Sequence, residues 1–401
     1  MLVPMLVPKG TVLMLLPKGA VPMRRTTCAL AAAAVLPLAL AGCTEKSTSD
    51  SDAITVTATD STCEVTDTEG TTGHNTFAVT NNGTKVTEFY VFDDGDRALG
   101  EVENIGPGLT RQLIVNIPEP GDYELSCRPG MVGEGIRQAF TVTGDSKAAA
   151  DADGKLAEAA EGYRRYIRSQ AEALVAATGE FVAAVKGGNV EEAKRLFPLA
   201  RTYFERIEPE AESFGDLDPR VDLREADLEP GQEWTGFHRL EKDLWVTGLQ
   251  SDSNAIADQL TADIQELSDL VNADAYNVDP TRIAGDAQGL LDEVATSKIT
   301  GEEDIFSHTD LYDFQANVDG SQAAVAVLRP VLDERKPELG QAIDARFAEL
   351  DAALAQYRQG DVFVSYETVT EPQRQELSRL IDALSAEVSK VQGVVAEASG
   401  A

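Results

Sequence analysis

The stretch "LAEAAEGYRRYIRSQAEALVAATGEFVAAVKGG", residues 156–188, decides the fold. Its apolar residues return every three to four positions, as on one face of a helix, and the Gly187–Gly188 pair supplies a stop. The chain before it is built differently. Between residues 53 and 144 lie "AITVTAT", "HNTFAVTNNG", "TEFYVFDDG", "RQLIVNI", "GDYELSC" and "QAFTVTG". These are short β-branched or aromatic runs separated by Asn-Gly, Asp-Gly, Pro-Gly and Gly-Asp turns. Such spacing predicts one all-β sandwich or barrel of about ninety residues. "GDSKAAADADGK", residues 144–155, is small, polar and charged. Residues 145–155 therefore read as a linker running into a helix.

From residue 156 to 401 the helical period persists, so the chain is expected to be multidomain: an N-terminal all-β sandwich followed by an all-α helical bundle. "NVEEAKRLFPLARTYFERIEPEAESF", residues 189–214, opens with Asn189 as an expected N-cap. Further helices are predicted at 232–247, 254–272, 279–298, 309–334, 337–358 and 371–398. An acid- and proline-rich loop, "GDLDPRVDLREADLEPGQ", separates the second helix from the third.

The 401 residues carry 68 acids against 34 bases, a formal net charge of −34. This balance argues against nucleic acid and anionic lipid as partners and suits a protein that handles cations. The N-terminus reads as a targeting segment. Arg24 and Arg25 precede the apolar run "CALAAAAVLPLALAG", which ends in "LAGC", Leu40 to Cys43. That order predicts a signal peptide over residues 1–42 and a lipid-bearing Cys43. Residues 43–52 form a polar tether. The repetitive residues 1–22 are expected to be a mis-assigned upstream extension, with translation beginning at Met23. Removing residues 1–42 takes away Lys9, Lys18, Arg24 and Arg25, so the mature charge is −34 − 4 = −38. Processing leaves Cys63 and Cys127 in an oxidising compartment, where a disulfide competes with metal binding and is favoured by composition.

The histidines are scarce, three in all, and one stands in "GFHRLEKDLW" at residues 236–245. On a helix, His238 and Glu241 share a face. The pair reads as two metal ligands, as part of a hydrolytic site, or as an ion pair on a packed helix, and spacing alone favours the last. Glu205, Glu208 and Glu212 line one side of the preceding helix, beside an expected apolar stripe of Leu196, Leu199, Tyr203, Ile207, Ala211 and Phe214. The loop adds Asp216, Asp218, Asp222, Glu225 and Asp227; "SHTDLYDFQAN" adds His308, Asp310 and Asp313. Many carboxylates with few imidazoles favour a hard ion such as ferric iron. The zincin pattern His-Glu-x-x-His and the Gly-x-Ser-x-Gly elbow are absent, so a zinc-dependent metallopeptidase would have to use the His-x-x-Glu pair with a third ligand that no motif identifies. In the β region, "CRPGM" resembles a blue-copper loop but lacks its two histidines. A different site there would use Cys63, Glu88 and Cys127.

Three stretches, "YFERIEPEAESFGDLD", "EWTGFHRLEKDLW" and "FSHTDLYDFQANVDGSQ", together with the cysteine-bearing β region, give the chain a resemblance to the EfeO-type iron-uptake lipoproteins. The resemblance implies a cupredoxin-like β domain and an imelysin-like, peptidase-like helical domain with a His-x-x-Glu motif. It implies iron as the bound metal, with copper or zinc as further candidates, and a membrane iron permease and a haem-peroxidase-like protein as partners. By position it implies His238, Glu241, Glu205, Glu208 and Asp310 as metal ligands in the helical domain, and Cys63, Glu88 and Cys127 in the β domain. The expected protein is lipid-anchored and extracytoplasmic. It binds iron, with copper-assisted oxidation as an option, and passes it on.

Overall fold

The computed structural model describes residues 53–93, 97–133, 135–146, 154–228 and 230–400. The expected signal peptide, Cys43, the tether and residues 147–153 of the linker lie outside the described residues.

Among the described residues, nine strands form the N-terminal part: β1 (Ile54–Ala58), β2 (Cys63–Val65), β3 (Glu69–Thr71), β4 (Gly73–Asn81), β5 (Thr87–Phe92), β6 (Ala98–Ile105), β7 (Thr110–Ile117), β8 (Gly121–Pro129) and β9 (Ile136–Thr143). They make two sheets, ordered β2-β1-β4-β7 and β3-β9-β8-β5-β6. β1 runs parallel to β4 and β3 parallel to β9; the other pairs are antiparallel. Alternation places one face of each sheet inward. Phe77 of β4 meets Phe89 of β5 and Phe140 of β9 with ring centroids 5.4 and 5.6 Å apart. Cys63 and Cys127 are buried in this core and joined as a disulfide.

The helical part runs α1 (Lys155–Lys186), α2 (Val190–Glu205), α3 (Glu208–Glu212), α4 (Leu217–Asp222), α5 (Gly236–Lys242), α6 (Ser253–Asn272), α7 (Pro280–Thr296), α8 (Asp310–Arg335), α9 (Pro337–Leu354), α10 (Glu371–Val388) and α11 (Val391–Ala398). The chain is thus a β sandwich followed by a helical domain, as the change of period predicts. Details differ. The run at 189–214 is two helices, α2 and α3, and Asn189 makes no side-chain capping bond. The acidic loop contains α4. A single π-turn, Asp243–Thr247, follows α5, and a short hairpin, β10 (Arg358–Gln359) with β11 (Val362–Phe363), interrupts the helices. On α2 the buried face is Ala193, Leu196, Phe197, Pro198, Ala200 and Phe204 together with Arg201 and Glu205, while Leu199 is exposed. Of the expected stripe, Leu196, Ile207 and Ala211 are buried, Tyr203 and Phe214 are half-buried and Leu199 is exposed, while Arg201 and Glu205 pair inward with charges from other segments.

The two parts meet through polar contacts. Arg111 of β7 pairs with Asp292 of α7 at 2.6 Å, and Asn116 donates to Asp279 at 2.8 Å. His74, the one histidine of the β part, lies 3.2 Å from the Thr281 hydroxyl and 3.1 Å from that of Ser399.

Candidate metal centre

Short segments carry the site, and each is placed for a local reason. Gly236 opens α5 with φ +82°, and a Cβ there would lie 2.1 Å from the carbonyl oxygen of Val221. Only glycine permits this approach. The contact is reinforced where Thr235 donates to the Arg220 carbonyl at 2.8 Å and the Trp234 indole to that of Leu223 at 2.7 Å. α4 and α5 are thereby locked together, and Asp222 comes beside His238. The segment 301–309 turns at Gly301, φ +81°, where a Cβ would meet the Tyr366 ring at 2.9 Å. It closes when the His308 amide donates to the Asp304 carbonyl at 2.7 Å. Its Glu303 and Asp304 then face α5.

His238 is 1% exposed and Glu241 is fully buried. Nδ1 of His238 lies 3.1 Å from Glu241 Oε2. The other oxygen of Glu241 accepts from the backbone amides of Phe306 and Ser307 at 3.0 and 2.7 Å. A carboxylate only accepts, so this contact places a proton on Nδ1 and fixes the ring. Nε2 then points at Asp222 Oδ1, 3.6 Å away, and Glu303 Oε1, 3.4 Å away, and has no hydrogen-bond partner. Asp222, His238 and Glu303 each offer one ligand atom within 4.8 Å of the others; His238, Glu241 and Asp304 do the same, as do Glu205, Glu208 and Asp222. Asp222 and Glu303 also line a cavity of about 190 Å³, with Glu208 from α3 and Glu88 and Met131 from the β sandwich.

Protein cations stand behind this apex. Arg201, fully buried, pairs with Glu205, Asp222, Glu303 (2.8 Å), Asp313 (3.2 Å) and Asp304 (3.6 Å). Lys298, equally buried, pairs with Glu205, Glu208 (3.2 Å) and Glu293 (3.3 Å). Asn317 of α8 donates to Glu205 and Glu208 at 3.2 and 3.3 Å. Burial opposes charge on Glu303 and Asp222, yet both stay below their ordinary pKa values: Lys298, His238 and two arginines hold Glu303 well below, and Arg201 and His238 hold Asp222 down. Burial and Arg201 oppose charge on His238, but the Asp222 carboxylate facing Nε2 and the contact of Nδ1 with Glu241 carry its pKa well above the usual imidazole value. Burial pushes Glu205 up to about 8, and burial with the Glu241 charge pushes Asp304 up to about 7. The site thus holds two ionised carboxylates and an imidazolium, and exchanging that imidazole proton for a metal ion would create a mixed oxygen and nitrogen centre.

The structure brings together His238, Glu241, Glu205 and Glu208 of the expected ligands. Asp310 is buried one step behind, where its Oδ1 accepts from the Asp304 amide at 3.3 Å. His308 lies apart, a third exposed and 3.6 Å from Glu367. The β-domain set does not assemble. Cys63 and Cys127 spend their sulfurs on each other, so neither offers a thiolate. Glu88 is paired with Arg128 across β5 and β8, one residue out of step with Phe89 and Cys127. Strand alternation therefore sends it to the opposite face, where it lies 3.9 Å from the Arg128 guanidinium. Sequence reasoning missed Glu303, Asp304, Arg201 and Lys298. The doubled acids of "GEEDIF", just before the His308 stretch, were the available signal for the first two; the buried cations carry no local mark.

A family model for imelysin matches residues 159–391, and one for a cupredoxin-like domain matches residues 30–141. The iron uptake system component EfeO of Escherichia coli strain K12 is 38% identical over 348 residues, which is 85% of this chain and 91% of that protein. The same component of Shigella flexneri matches at the same identity and coverage. Among solved structures, reduced auracyanin from Roseiflexus castenholzii aligns with 23% of this chain and 98% of its own at 17% identity, with a TM-score of 0.20. A cupredoxin-like domain joined to an imelysin domain, and this degree of identity along nearly the full length of the relatives, establish that the chain belongs to the EfeO family of iron uptake components.

Proposed function

We propose that the protein is the extracytoplasmic iron-binding component of an iron uptake system, and that Asp222, Glu303 and Nε2 of His238 receive the ion. Glu241 is a positioning residue: tied to two amides, it holds the ring so that Nε2 faces Asp222 and Glu303. Lys298 and Arg201, with Glu205 and Glu208 paired to them, form the wall behind. One observation carries the reading: the buried Nε2 of His238 lacks a hydrogen-bond partner and faces two carboxylates, Asp222 and Glu303, that themselves line a cavity. Iron is the cargo, since the matching relatives are named iron uptake components. The same resemblance supports release to a membrane iron permease and cooperation with a haem-peroxidase-like protein. The "LAGC" box supports a lipid anchor at Cys43. Copper-assisted oxidation in the β domain has lost its thiolate ligands to the disulfide and is no part of this reading. A zinc peptidase would need a coordination position that a peptide can reach. The burial of His238 and Glu241 weighs against that use.

Anaerobic titration with ferrous ion tests the assignment. His238→Ala is expected to weaken binding at least about 100-fold, and Glu241→Gln about 10–100-fold, as for other groups that orient a ligand. Circular dichroism confirms that each variant is folded. Unchanged affinity in folded His238→Ala would remove the site.

A further inference from the structure

A second group of acids lies where the two domains face each other, outside the His238 centre. Glu101 and Glu103 of β6 and Glu212 of α3 each offer a carboxylate oxygen, and the three oxygens lie within 4.8 Å of one another. All three line a cavity of about 350 Å³ between the sandwich and α7. Like charges brought this close repel strongly unless a proton or a cation intervenes. The nearby protein cations are already paired with carboxylates, Arg282 with one oxygen of Asp286 at the edge of the group. Arg111 at this cavity pairs with Asp292, and Arg282 reaches Glu210 at 3.3 Å and Asp286 Oδ1 at 3.5 Å. The Tyr90 hydroxyl donates to Glu103 at 3.4 Å, and Glu103 and Glu212 are hydrogen-bonded to each other through their carboxyl groups.

An independent observation points to a ligand. Asp286 of α7 lines the same cavity and is 6% exposed, yet its Oδ2 has no hydrogen-bond partner. Glu101 Oε2 is likewise buried and unpartnered. Buried polar atoms left unpaired cost free energy, so two such oxygens, one within the cluster and one on Asp286 beside it, call for a positive partner. Burial pushes Glu101 up to about 8 against the opposing charge of Arg282, with the charges of Asp286 and Glu88 adding to the rise. Burial and neighbouring carboxylates likewise hold Glu103 and Glu212 well above the usual range. Protons therefore occupy the place when no ion does.

We propose that Glu101, Glu103 and Glu212, with Asp286 beside them, form a second cation site, one that binds a hard multivalent ion through oxygen alone and ties the two domains together. It differs in chemistry from the His238 centre, which contributes a nitrogen. Oxygen-only ligation favours hard, highly charged ions over borderline ones. Glu103 and Glu212 also line the cavity that contains Asp222 and Glu303, so the two sites share walls.

Terbium(III) chloride is a suitable probe, being a hard trivalent ion that prefers oxygen. Equilibrium dialysis of the full chain against it, with metal analysis, reads affinity and stoichiometry. The wild-type chain is expected to bind an ion that Glu101→Gln/Glu103→Gln weakens at least ten-fold and that His238→Ala/Glu241→Ala leaves in place. Both variants are first checked by thermal melting. If the β6 pair fails to fold, Glu212→Gln on the helical side is expected to give the same ten-fold loss. Unchanged binding in the folded variant overturns the proposal. So does loss in the His238→Ala/Glu241→Ala variant alone, which would place the ion at the inner centre. Ferrous titration of His238→Ala remains a separate readout, so the two sites stand or fall independently.

Discussion

Around the middle of the β sandwich lie Phe77, Phe89 and Phe140 with the Cys63–Cys127 disulfide; around the middle of the helical domain lies Arg201 with Glu205, Asp222, Glu303, Asp304 and Asp313. Both places are buried, yet one is apolar and covalently closed and the other is ionic. Burying apolar rings is favourable at roughly 25 cal/mol per Å². Burying charges costs several kcal/mol per ion before their mutual attraction returns part of it. The sandwich is therefore built for stability. The helical domain accepts a costly interior, and such an interior is sensible where a cation must be taken out of water. Carboxylates there cannot relax into solvent and stay converged for an ion of suitable size.

The comparison breaks most severely at Arg201. Arg201→Met leaves five carboxylates without their shared cation, and breaking a buried pair in this way costs about 3–5 kcal/mol. Urea unfolding measures it. A loss under about 1 kcal/mol would mean that the carboxylates shed their charge by protonation and that Arg201 is not their main support. In the sandwich, Cys63→Ser/Cys127→Ser is expected to cost about 2–4 kcal/mol. Iron binding should survive that change, and a marked fall in iron affinity of the folded variant would return the cysteines to the metal site. The smallest effect is one of pH. The proton on His238 and those on the raised carboxyls Asp304 and Glu205 (about 7 and about 8) must leave before these groups can serve a cation. Groups with raised values hold their protons at low pH, so iron affinity should rise with pH. From about pH 6 to about pH 8 a gain of roughly ten-fold or more is expected in calorimetry, together with proton release that varies with buffer. A flat profile would mean that the ion is held by Asp222 and Glu303 alone, both ionised throughout that range.

Part of the site was open to reading along the chain. His238 and Glu241 are three apart on one helix, a relation fixed by helical geometry, and they do touch. Their division of labour was not readable, because it depends on the amides of Phe306 and Ser307, 65 and 66 residues away. Glu205 and Glu208 were singled out as an acidic side, but their buried partners Lys298 and Arg201 were not. A lysine in the turn after α7 looks like any surface lysine until packing encloses it. Cys63 and Cys127 remained open between a bond and a metal, since two residues 64 apart show nothing of their separation in space.

Periodicity and turn chemistry, which act between neighbours a few residues apart, were enough to divide the chain into strands and helices near residue 155 and to mark its acid-rich character. Convergence was settled elsewhere. Asp222, His238 and Glu303 come from three segments, and they meet because Gly236 lets α5 press on the Val221 carbonyl and Gly301 turns the following acids inward. Those are contacts between distant parts of the backbone, and only the packed structure makes them.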